Sequence, residues 1–440
     1  RNMIKKSIVK TKQKPTSAFA ILDAGTSKLA AIIVEPSKTG ELNVIGDAIQ
    51  ESAGLRGGEI NDLETFSTAI GTTVQMAEDK AGVTVKEAHL ICNAGQPNMQ
   101  IIRSNIELSD AKISKRDLRR IVSKQNDIKT DDSRTIIQHE QFHYILDGQT
   151  QVKNPIGMFA QKLSSDSLLL SMRSTSIANM KQALQQNHLN PGHIHHGASM
   201  SGLACLSEEE KDLGSLVLDI GGGTSSLSLF LEGKVIYTET LAIGGIQITR
   251  DIAKVLSISI QEAERLKVFE GTVFATTSVA ETASASSSGI PSKGDNFILS
   301  GSLSDFDTIR LSNSEQIERH LLNTIIKTRL EEILEKLMAR LVQANMHQAV
   351  GNRVILAGGA AKLTGICEFV SSIWKKNARM GTPNYISGLG GREDIEPLSA
   401  SLGMLNYIQS YPQNEPIQHQ TRTMPFSKFS RIGNWFFENI

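Results

Sequence analysis

The chain has few of the features that mark secreted, zinc-binding or membrane-spanning proteins. Its 440 residues include three cysteines, Cys92, Cys205 and Cys367, which lie far apart and form no CxxC pair. This spacing argues against a disulfide framework or a structural zinc site and fits a reducing compartment. No apolar run approaches the roughly 18 residues of a membrane-spanning helix. The formal net charge is zero, so there is no general electrostatic case for a nucleic-acid partner.

The start of the chain is basic. Residues 1–16 contain several lysines and no acid, and they lack the apolar core of a signal peptide, so export is not predicted. We interpret this segment as a disordered arm; the alternative is weak attraction to anionic lipid or to an acidic partner. The length of the whole chain predicts two or more domains.

One stretch, LVLDIGGGTSSLSLF (216–230), places an aspartate and three glycines between two apolar runs. Alone it predicts a β-hairpin whose glycines allow a tight turn. A similar stretch, FAILDAGTSKLAAIIV (19–34), has its aspartate 196 positions earlier. The repeat indicates two similar halves, each opening on a strand–turn–strand unit, whose turns can face one another across a cleft.

The composition of both turns suits a phosphate group. Glycines without a Cβ let backbone N–H groups approach phosphate oxygens, and the hydroxyl residues beside them add donors. A carboxylate repels phosphate but can hold Mg²⁺ through water, because this ion prefers oxygen ligands and keeps much of its hydration shell. We therefore predict Asp23 and Asp219 as opposing metal- or water-orienting carboxylates. Neither stretch is a P-loop, since no G-K-[ST] follows.

A third glycine turn occurs in VILAGGAAKLTGI (354–366). An apolar strand is predicted to end in Gly358-Gly359, and a helix is predicted to start at Ala360. Such a helix N-terminus, with bare backbone beside it, suits the phosphates or ribose of a nucleotide. From this stretch alone, an ordinary glycine pair between a strand and a helix is the favoured interpretation.

Two more signals lie between these turns. LAIGGIQITRDIAKVL (241–256) contains the turn Gly244-Gly245 and then a predicted helix with Ile248, Ile252, Val255 and Leu256 on one side. SIQEAERLKVFEG (259–271) places Glu264 and Lys267 three apart on one helical face. From spacing alone, a solvated surface salt bridge is the commoner explanation of such a pair.

The end of the chain predicts a linker and an amphipathic helix. Residues 412–425 are polar, with three prolines. In 426–440, most apolar side chains fall within one arc of about 140° on a helical wheel. An in-plane membrane helix is the favoured interpretation, and a terminal helix docked on the protein's own core is the alternative. The membrane-contacting residues are predicted to be Phe426, Phe429, Ile432, Trp435, Phe436, Phe437 and Ile440, although Trp435 lies off the main arc.

These motifs resemble those of a known superfamily. The two strand–Asp–Gly turns and the AGGAA turn at 357–361 resemble the phosphate-1, phosphate-2 and adenosine motifs of the actin, sugar-kinase and heat-shock-chaperone ATPases. ASMSGLACL (198–206) and PLSASLGML (397–405) are similar to its two small-residue connecting helices. Within the superfamily the chain resembles the bacterial cell-division family FtsA over roughly 17–440. The supporting stretches are GLRGGEINDLE (54–64), KNPIGM (153–158), DIGGGTSSLSLF (219–230), IGGIQITRDIA (243–253), EAERLK (262–267) and ILAGGAAKLTGI (355–366).

The resemblance implies an α/β fold: an actin-like two-lobe ATPase fold with an inserted 1C-type subdomain and a C-terminal amphipathic helix. Local patterns support the insert through a predicted capped helix at 114–125 and a strand at 135–146. The implied divisions are a basic arm (1–16), a first nucleotide-binding lobe (17–84 and 175–198), the insert (85–174), a second nucleotide-binding lobe (199–250 and 340–411), its upper subdomain (251–339), a linker (412–425) and a membrane-targeting helix (426–440).

The resemblance also implies ATP and Mg²⁺ as cofactors. It places Glu264 and Lys267 on the helix that reaches the ribose and base, and it lets Lys28 reach a phosphate. The metal site would use Asp23 and Asp219, through water. The full set of implied nucleotide-binding residues is Asp23, Gly25, Thr26, Ser27, Lys28, Asp219, Gly221, Gly222, Gly223, Thr224, Gly244, Gly245, Glu264, Lys267, Gly358, Gly359 and Ala360.

The partners implied by the resemblance are the C-terminal peptide of FtsZ, further copies of the chain, inner-membrane lipid and other division proteins. Arg319 resembles a residue of the FtsZ-binding surface. The expected location is the cytoplasmic face of the inner membrane at the division site. A small-molecule kinase and a pilus-assembly ATPase on the same fold remain alternatives.

Two departures from the family pattern affect these expectations. The first connecting helix, 198–206, contains no glutamate, aspartate or glutamine to orient water. We therefore expect ATP binding and at most slow hydrolysis. Residues 276–295 are rich in Ser, Ala and Thr and are predicted to form a flexible loop.

Overall fold

The computed structural model describes residues 17–108, 112–126, 131, 133–273, 308–311, 316–384, 389 and 394–410. The basic arm, the 276–295 segment, the linker and the predicted membrane helix lie outside these residues. The described strands are β1 Phe19–Ala24, β2 Lys28–Pro36, β3 Leu42–Glu51, β4 Leu55–Arg56, β5 Glu59–Ile60, β6 Glu87–Cys92, β7 Asn98–Glu107, β8 Arg134–Leu146, β9 Thr150–Val152, β10 Lys162–Arg173, β11 Asn190–His196, β12 Ser215–Ile220, β13 Ser225–Leu231, β14 Lys234–Leu241, β15 Thr308–Arg310, β16 Gln316–Glu318, β17 Arg353–Ala357 and β18 Asn377–Met380.

The helices are interspersed among these strands, singly or in pairs. Short 3₁₀ turns at His347–Ala349, Gly359–Lys362 and Glu396–Leu398 supplement them. The described α-helices are α1 Leu63–Ala81, α2 Lys115–Asn126, α3 Ser174–Gln186, α4 Gly197–Cys205, α5 Glu208–Asp212, α6 Gly245–Leu256, α7 Ile260–Phe269, α8 Arg319–Gln343, α9 Ile366–Trp374 and α10 Ser399–Ser410.

The two lobes contain sheets of the same topology. In the first lobe the order is β11-β6-β1-β2-β3, and in the second it is β14-β13-β12-β17-β18. Each sheet starts with an antiparallel hairpin, β1–β2 or β12–β13, and its first strand also pairs in parallel with a later one, β6 or β17. The predicted repeat of two strand–turn–strand units is therefore confirmed.

A third sheet, β7-β10-β8-β9, and helix α2 form the insert. The predicted helix at 114–125 and strand at 135–146 are confirmed as α2 and β8, and Ser114 at the start of α2 bonds to the Asp117 carboxylate. The predicted limit at residue 85 needs correction, because β6 pairs with β1 in the first-lobe sheet. The strands of the insert begin at Asn98.

Two helices rich in small residues lie between the lobes. Helix α4 follows β11 directly and packs against α10, as the two predicted connecting helices would. Apolar side chains from both lobes and both helices form one buried cluster, which includes Ile21, Met200, Val217 and Leu402. This shared core holds the two hairpin turns at a common cleft.

Helices α6, α7 and α8 pack together in the upper part of the second lobe. The predicted apolar face of α6 is correct for Ile248 and Ile252, which are buried, and Leu256 is partly buried. It is wrong for Val255, which is 55% exposed, because the packed stripe on α6 does not extend to that position.

Candidate functional site

Two matching turns form the centre of the candidate site. After β1, the N–H of Gly25 donates to the carbonyl of Lys28 at 3.0 Å, and after β12 the N–H of Gly221 donates to the carbonyl of Thr224 at 2.8 Å. Both turns thus close four-residue loops between antiparallel strands. They present small and hydroxyl residues at the ends of the two central strands.

The two turns lie face to face across the lobe boundary. A side chain at Gly222 would collide with Ser27, and one at Gly223 would collide with Thr26. The hydroxyl of Thr26 also accepts a hydrogen bond from the N–H of Gly58 at 3.1 Å. Glycine is therefore required in the second turn by the close approach of the first.

The two aspartates occupy equivalent places but have different partners. Asp23 pairs with Lys28 Nζ at 3.1 Å, whereas Asp219 accepts a hydrogen bond from Ser201 Oγ of α4 at 3.0 Å. Burial, followed by repulsion from Asp23, raises the pKa of Asp219 from 3.8 to about 6. Lys28 also donates to the carbonyl of Pro397, so in this arrangement its charge is used within the protein.

The third predicted turn approaches the second aspartate closely. Gly358 has φ +86°, a backbone conformation that favours glycine, and a Cβ there would lie 2.5 Å from Asp219 Oδ1. The helix predicted to start at Ala360 is corrected to a 3₁₀ turn, Gly359–Lys362, with α9 starting at Ile366. The break has a local cause, because Gly365 adopts φ +84°.

The Gly244-Gly245 turn closes the same site from the side of α6. The N–H of Gly245 donates to the carbonyl of Gly221 at 2.9 Å, and the N–H of Ile246 donates to the carbonyl of Gly222 at 2.8 Å. A Cβ on Gly245 would lie 3.2 Å from that of Ala360. The glycine turns at 221–223, 244–245 and 358–359 therefore meet at one place.

Helix α7 brings a buried ammonium group to this place. Lys267 Nζ lies 2.7 Å from Glu264 Oε2, 2.9 Å from Thr249 Oγ1 and 3.3 Å from the carbonyl of Gly245. Lys267 is only 8% exposed, whereas the lysine of a solvated surface salt bridge would be largely exposed. The Glu264 side chain is 49% exposed, so the pair lies at the edge of the site, with its ammonium group buried and its carboxylate open to solvent.

The structure brings the predicted nucleotide-binding residues of all four turns and of α7 to one interlobe cleft. Arg319 lies apart, at the first position of α8, where it pairs with Glu270 at 2.9 Å. The predicted membrane residues 426–440 lie outside the described part of the chain. Sequence reasoning missed Ser201 and Asn93, because a serine in a small-residue helix and an asparagine after a strand carry no distinctive pattern.

The donors at the cleft suit a hydrated cation better than a fully liganded one. Across the described ranges, no group of three or more His, Cys, Asp or Glu side chains is placed to hold a metal ion. Asp23 and Asp219 offer two carboxylates at facing turns. Such a set fits Mg²⁺, which keeps several waters and takes only one or two carboxylates from the protein.

Family models match most of this architecture. The model of the cell division protein FtsA matches residues 216–397, and that of the SHS2 domain inserted in FtsA matches 95–171. A model of the type IV pilus assembly protein PilM matches 156–272.

Full-length relatives carry one shared description. Cell division protein FtsA of Agrobacterium fabrum is 30% identical over 97% of this chain and 96% of its own length. The chain belongs to the FtsA family. The FtsA proteins of Neisseria meningitidis and Escherichia coli are 27% and 23% identical, over 95% and 94% of this chain and 97% and 94% of theirs. This chain is therefore an actin-like protein of a cell-division family.

Solved structures confirm the actin-like fold. The PilM–PilN type IV pilus biogenesis complex matches with a TM-score of 0.57 and 16% identity, over 91% of this chain and 100% of that one. MreB5 of Spiroplasma citri bound to ADP matches with a TM-score of 0.52 and 13% identity, over 90% and 97%. Within the described ranges, no helix combines the length and apolar character needed to cross a membrane.

Proposed function

We propose that this FtsA-family protein binds Mg–ATP between its lobes and tethers FtsZ to the cytoplasmic face of the inner membrane at the division site. The observation that carries the nucleotide part is the facing pair of hairpin turns, with Asp23 and Asp219 at equivalent positions. The remaining parts rest on the family membership and on the sequence of the chain's end.

The cleft supports nucleotide binding through its composition. The turns offer backbone amides and the hydroxyls of Thr26, Ser27 and Thr224 to phosphate oxygens. Lys267 and Glu264 offer one cation and one carboxylate for the ribose and base. Asp23 and Asp219 would hold Mg²⁺ through water, and the ion would offset the charge of the phosphates.

The proposed ATPase rate is slow at most. In the described part of α4, Ser201 is the residue that bonds Asp219, and a neutral hydroxyl is a poor general base. We therefore propose that nucleotide state is mainly sensed. A small-molecule kinase would instead consume ATP only with an acceptor substrate, and a steady-state assay without acceptor distinguishes the two.

The proposed FtsZ-binding surface lies on the upper second lobe around Arg319. Beside its partner Glu270, Phe269 is 76% and Val268 58% exposed, and Leu321 on the next helix is 40% exposed. Exposed apolar side chains rimmed by charge are typical of a peptide-docking surface. We assign the C-terminal peptide of FtsZ to this place.

The membrane part of the proposal rests on residues 426–440. Phe426, Phe429, Ile432, Phe436 and Ile440 would enter the acyl boundary, joined by Trp435 and Phe437 at the edges, and Lys428 and Arg431 would lie near headgroups. Each buried side chain would contribute roughly 1.5–3 kcal/mol before ordering costs. One copy should bind reversibly, and self-association into short filaments or minirings would add avidity.

We also propose the domain divisions given above, including the insert and the basic arm. Further division proteins are proposed as partners of the assembled protein. A pilus-assembly ATPase is the second candidate, supported by the PilM model match over 156–272. It would not need the terminal helix.

Liposome co-sedimentation tests the tether. Full-length protein and a 1–424 truncation are mixed with vesicles that contain anionic lipid, with and without Mg–ATP and FtsZ. We expect the full chain to pellet and to carry FtsZ with it, and the truncation to stay in the supernatant. Equal pelleting of both proteins, or of neither, would refute the tether.

A further inference from the structure

A line of buried hydrogen bonds crosses the lobe boundary behind the second turn. His196 is the last residue of β11 in the first lobe, and it is followed at once by α4. Its side chain is fully buried, with Nδ1 2.9 Å from Thr238 Oγ1 and Nε2 2.7 Å from Thr240 Oγ1. Both threonines lie on β14 of the second lobe, two residues apart and therefore on one face of the strand.

The threonines pass this contact on to the hairpin that carries the second turn. Thr240 bonds to Ser226 at 2.9 Å, and Ser226 is the register partner of Asp219. Thr238 bonds to Ser228 at 3.0 Å, which in turn bonds to Ser199 of α4 at 3.1 Å. The network thus joins the first-lobe strand, the interlobe helix and the second-turn hairpin.

A second cross-lobe contact lies at the start of the same helix. Asn93, just after β6 in the first lobe, accepts a hydrogen bond from the N–H of Gly197 at 3.1 Å. Its amide donates to Thr224 Oγ1 in the second turn at 3.3 Å. The junction at 196–197 is therefore linked to Thr224 through Asn93 and to β14 through His196. Beyond β14 the chain reaches the Gly244-Gly245 turn.

We propose that Asn93 and His196 form an interlobe latch: positioning residues that hold the lobes in the orientation in which the two turns face each other. This inference rests on the proposed nucleotide site for its functional meaning. Because Asn93 contacts the second turn at Thr224 and His196 reaches Ser226 of its hairpin through Thr240, lobe orientation and occupancy of the cleft are coupled. Loss of the latch should favour the open orientation and weaken nucleotide binding.

The imidazole suits this role because of its two-sided hydrogen bonding. A neutral imidazole has one donor and one acceptor, so it fixes the directions of both threonine hydroxyls. Burial keeps the ring in the neutral form by lowering the pKa of His196 to about 3. The groups that face it from β14 and β13 are hydroxyls, not charges, so no carboxylate favours its protonation.

The test uses substitutions that remove or restore single contacts, and its Thr→Val changes also keep side-chain volume. Thr240→Val removes the hydroxyl that links His196 to Ser226, and Thr240→Ser restores it. Asn93→Ala removes the second contact. Thr73→Val is the matched control, because Thr73 is a fully buried threonine whose hydroxyl bonds only within α1, to the carbonyl of Ala69 at 2.8 Å.

Two readouts are taken on each full-length variant. The interlobe distance is measured by double electron–electron resonance between spin labels at Asp79→Cys and Glu335→Cys. Both positions are exposed, and they lie on opposite lobes. The background has Cys92, Cys205 and Cys367 changed to alanine. ATP affinity is measured by isothermal titration with Mg²⁺. We expect Thr240→Val and Asn93→Ala to lengthen or broaden the nucleotide-free interlobe distance and to weaken ATP binding about 5- to 20-fold. Thr240→Ser and Thr73→Val should match the unaltered protein.

The two proposals fail in different ways. If the unaltered protein binds no ATP, the proposed nucleotide site is wrong, and the nucleotide-free distances still test the latch. If Thr240→Val and Asn93→Ala lower thermal stability but leave both the distance and the ATP affinity unchanged, the contacts are merely structural and the latch is overturned.

Discussion

Replacing Asp219 by asparagine should stabilise the nucleotide-free protein while impairing Mg–ATP binding. Burial and the nearby Asp23 raise the pKa of Asp219 from 3.8 to about 6. At neutral pH the folded protein therefore carries a carboxylate whose ionised form is penalised. Asparagine keeps the shape and can still accept the hydrogen bond from Ser201 Oγ, but it has no charge to bury.

The magnitude follows from linkage between protonation and folding. A raised folded-state pKa contributes stability below the unfolded value, and that contribution is lost as pH rises through the folded value. The difference between 3.8 and about 6 corresponds to about 3 kcal/mol. Asp219 is only half-buried, so solvent screening lowers this figure. We expect Asp219→Asn to gain about 1–3 kcal/mol at pH 7.5 and almost nothing near pH 4.

Tryptophan fluorescence gives a local assay of this gain. Trp374 lies buried in the second lobe, and Trp435→Phe removes the other tryptophan of the chain. Urea unfolding in that background is compared at pH 4, 5.5 and 7.5 for the unaltered protein, Asp219→Asn and Asp79→Asn. The last is an exposed acid-to-amide change in α1, and it controls for net charge.

The reasoning is refuted if Asp219→Asn is no more stable than the unaltered protein at pH 7.5, or if its gain is the same at all three pH values. Mg–ATP affinity, measured in parallel, should fall at least about tenfold, since one of the two carboxylates proposed to hold the cation is gone. An unchanged affinity would remove Asp219 from the metal site.

Three further outcomes are expected. The pKa values of His89, His195 and His196 are each lowered to about 3, chiefly by burial, so stability should fall as the pH drops from 6.5 toward 5, by up to about 1.4 kcal/mol per pH unit for each ring. A urea midpoint that does not drop from pH 7 to pH 5 would contradict this. Lys267→Met should weaken ATP binding by about 1.5–3 kcal/mol, the range for charged hydrogen bonds. The control Lys336→Met, at an exposed position, should leave ATP binding unchanged, and both are measured by calorimetry. Phe269→Ser should weaken binding of an FtsZ C-terminal peptide by more than about 1 kcal/mol, measured by fluorescence anisotropy, without lowering the melting temperature. An unchanged affinity would show that the peptide binds elsewhere.

The turns were predictable from sequence because their chemistry is local. An aspartate followed by glycines between two apolar runs specifies a hairpin on its own, and its repetition at 23 and 219 places the two turns in equivalent parts of two lobes. The 3.6-residue spacing likewise put Glu264 and Lys267 on one face of α7. Such patterns need no knowledge of the distant chain.

The errors concern contacts that depend on distant residues. From sequence, strand β6 is assigned to the start of the insert. Its parallel partner β1 lies more than sixty residues earlier, and parallel pairing leaves no local sequence signal. A helix is predicted to start at the third turn, but the positive φ of Gly365 delays α9 to Ile366. The latch was invisible for the same reason, because Thr238 and Thr240 on β14 look like ordinary β-branched strand residues.

The cleft combines interactions of opposite effect. Asp23 and Asp219 repel each other across the lobe boundary, which raises the pKa of Asp219 and favours separation of the turns. The contacts of His196 with β14 and of Asn93 with Thr224 favour their approach. A proton or a bound cation can relieve the repulsion, whereas the hydrogen bonds are independent of it. A ligand that neutralises the carboxylates therefore favours the same approach of the two turns as these hydrogen bonds do.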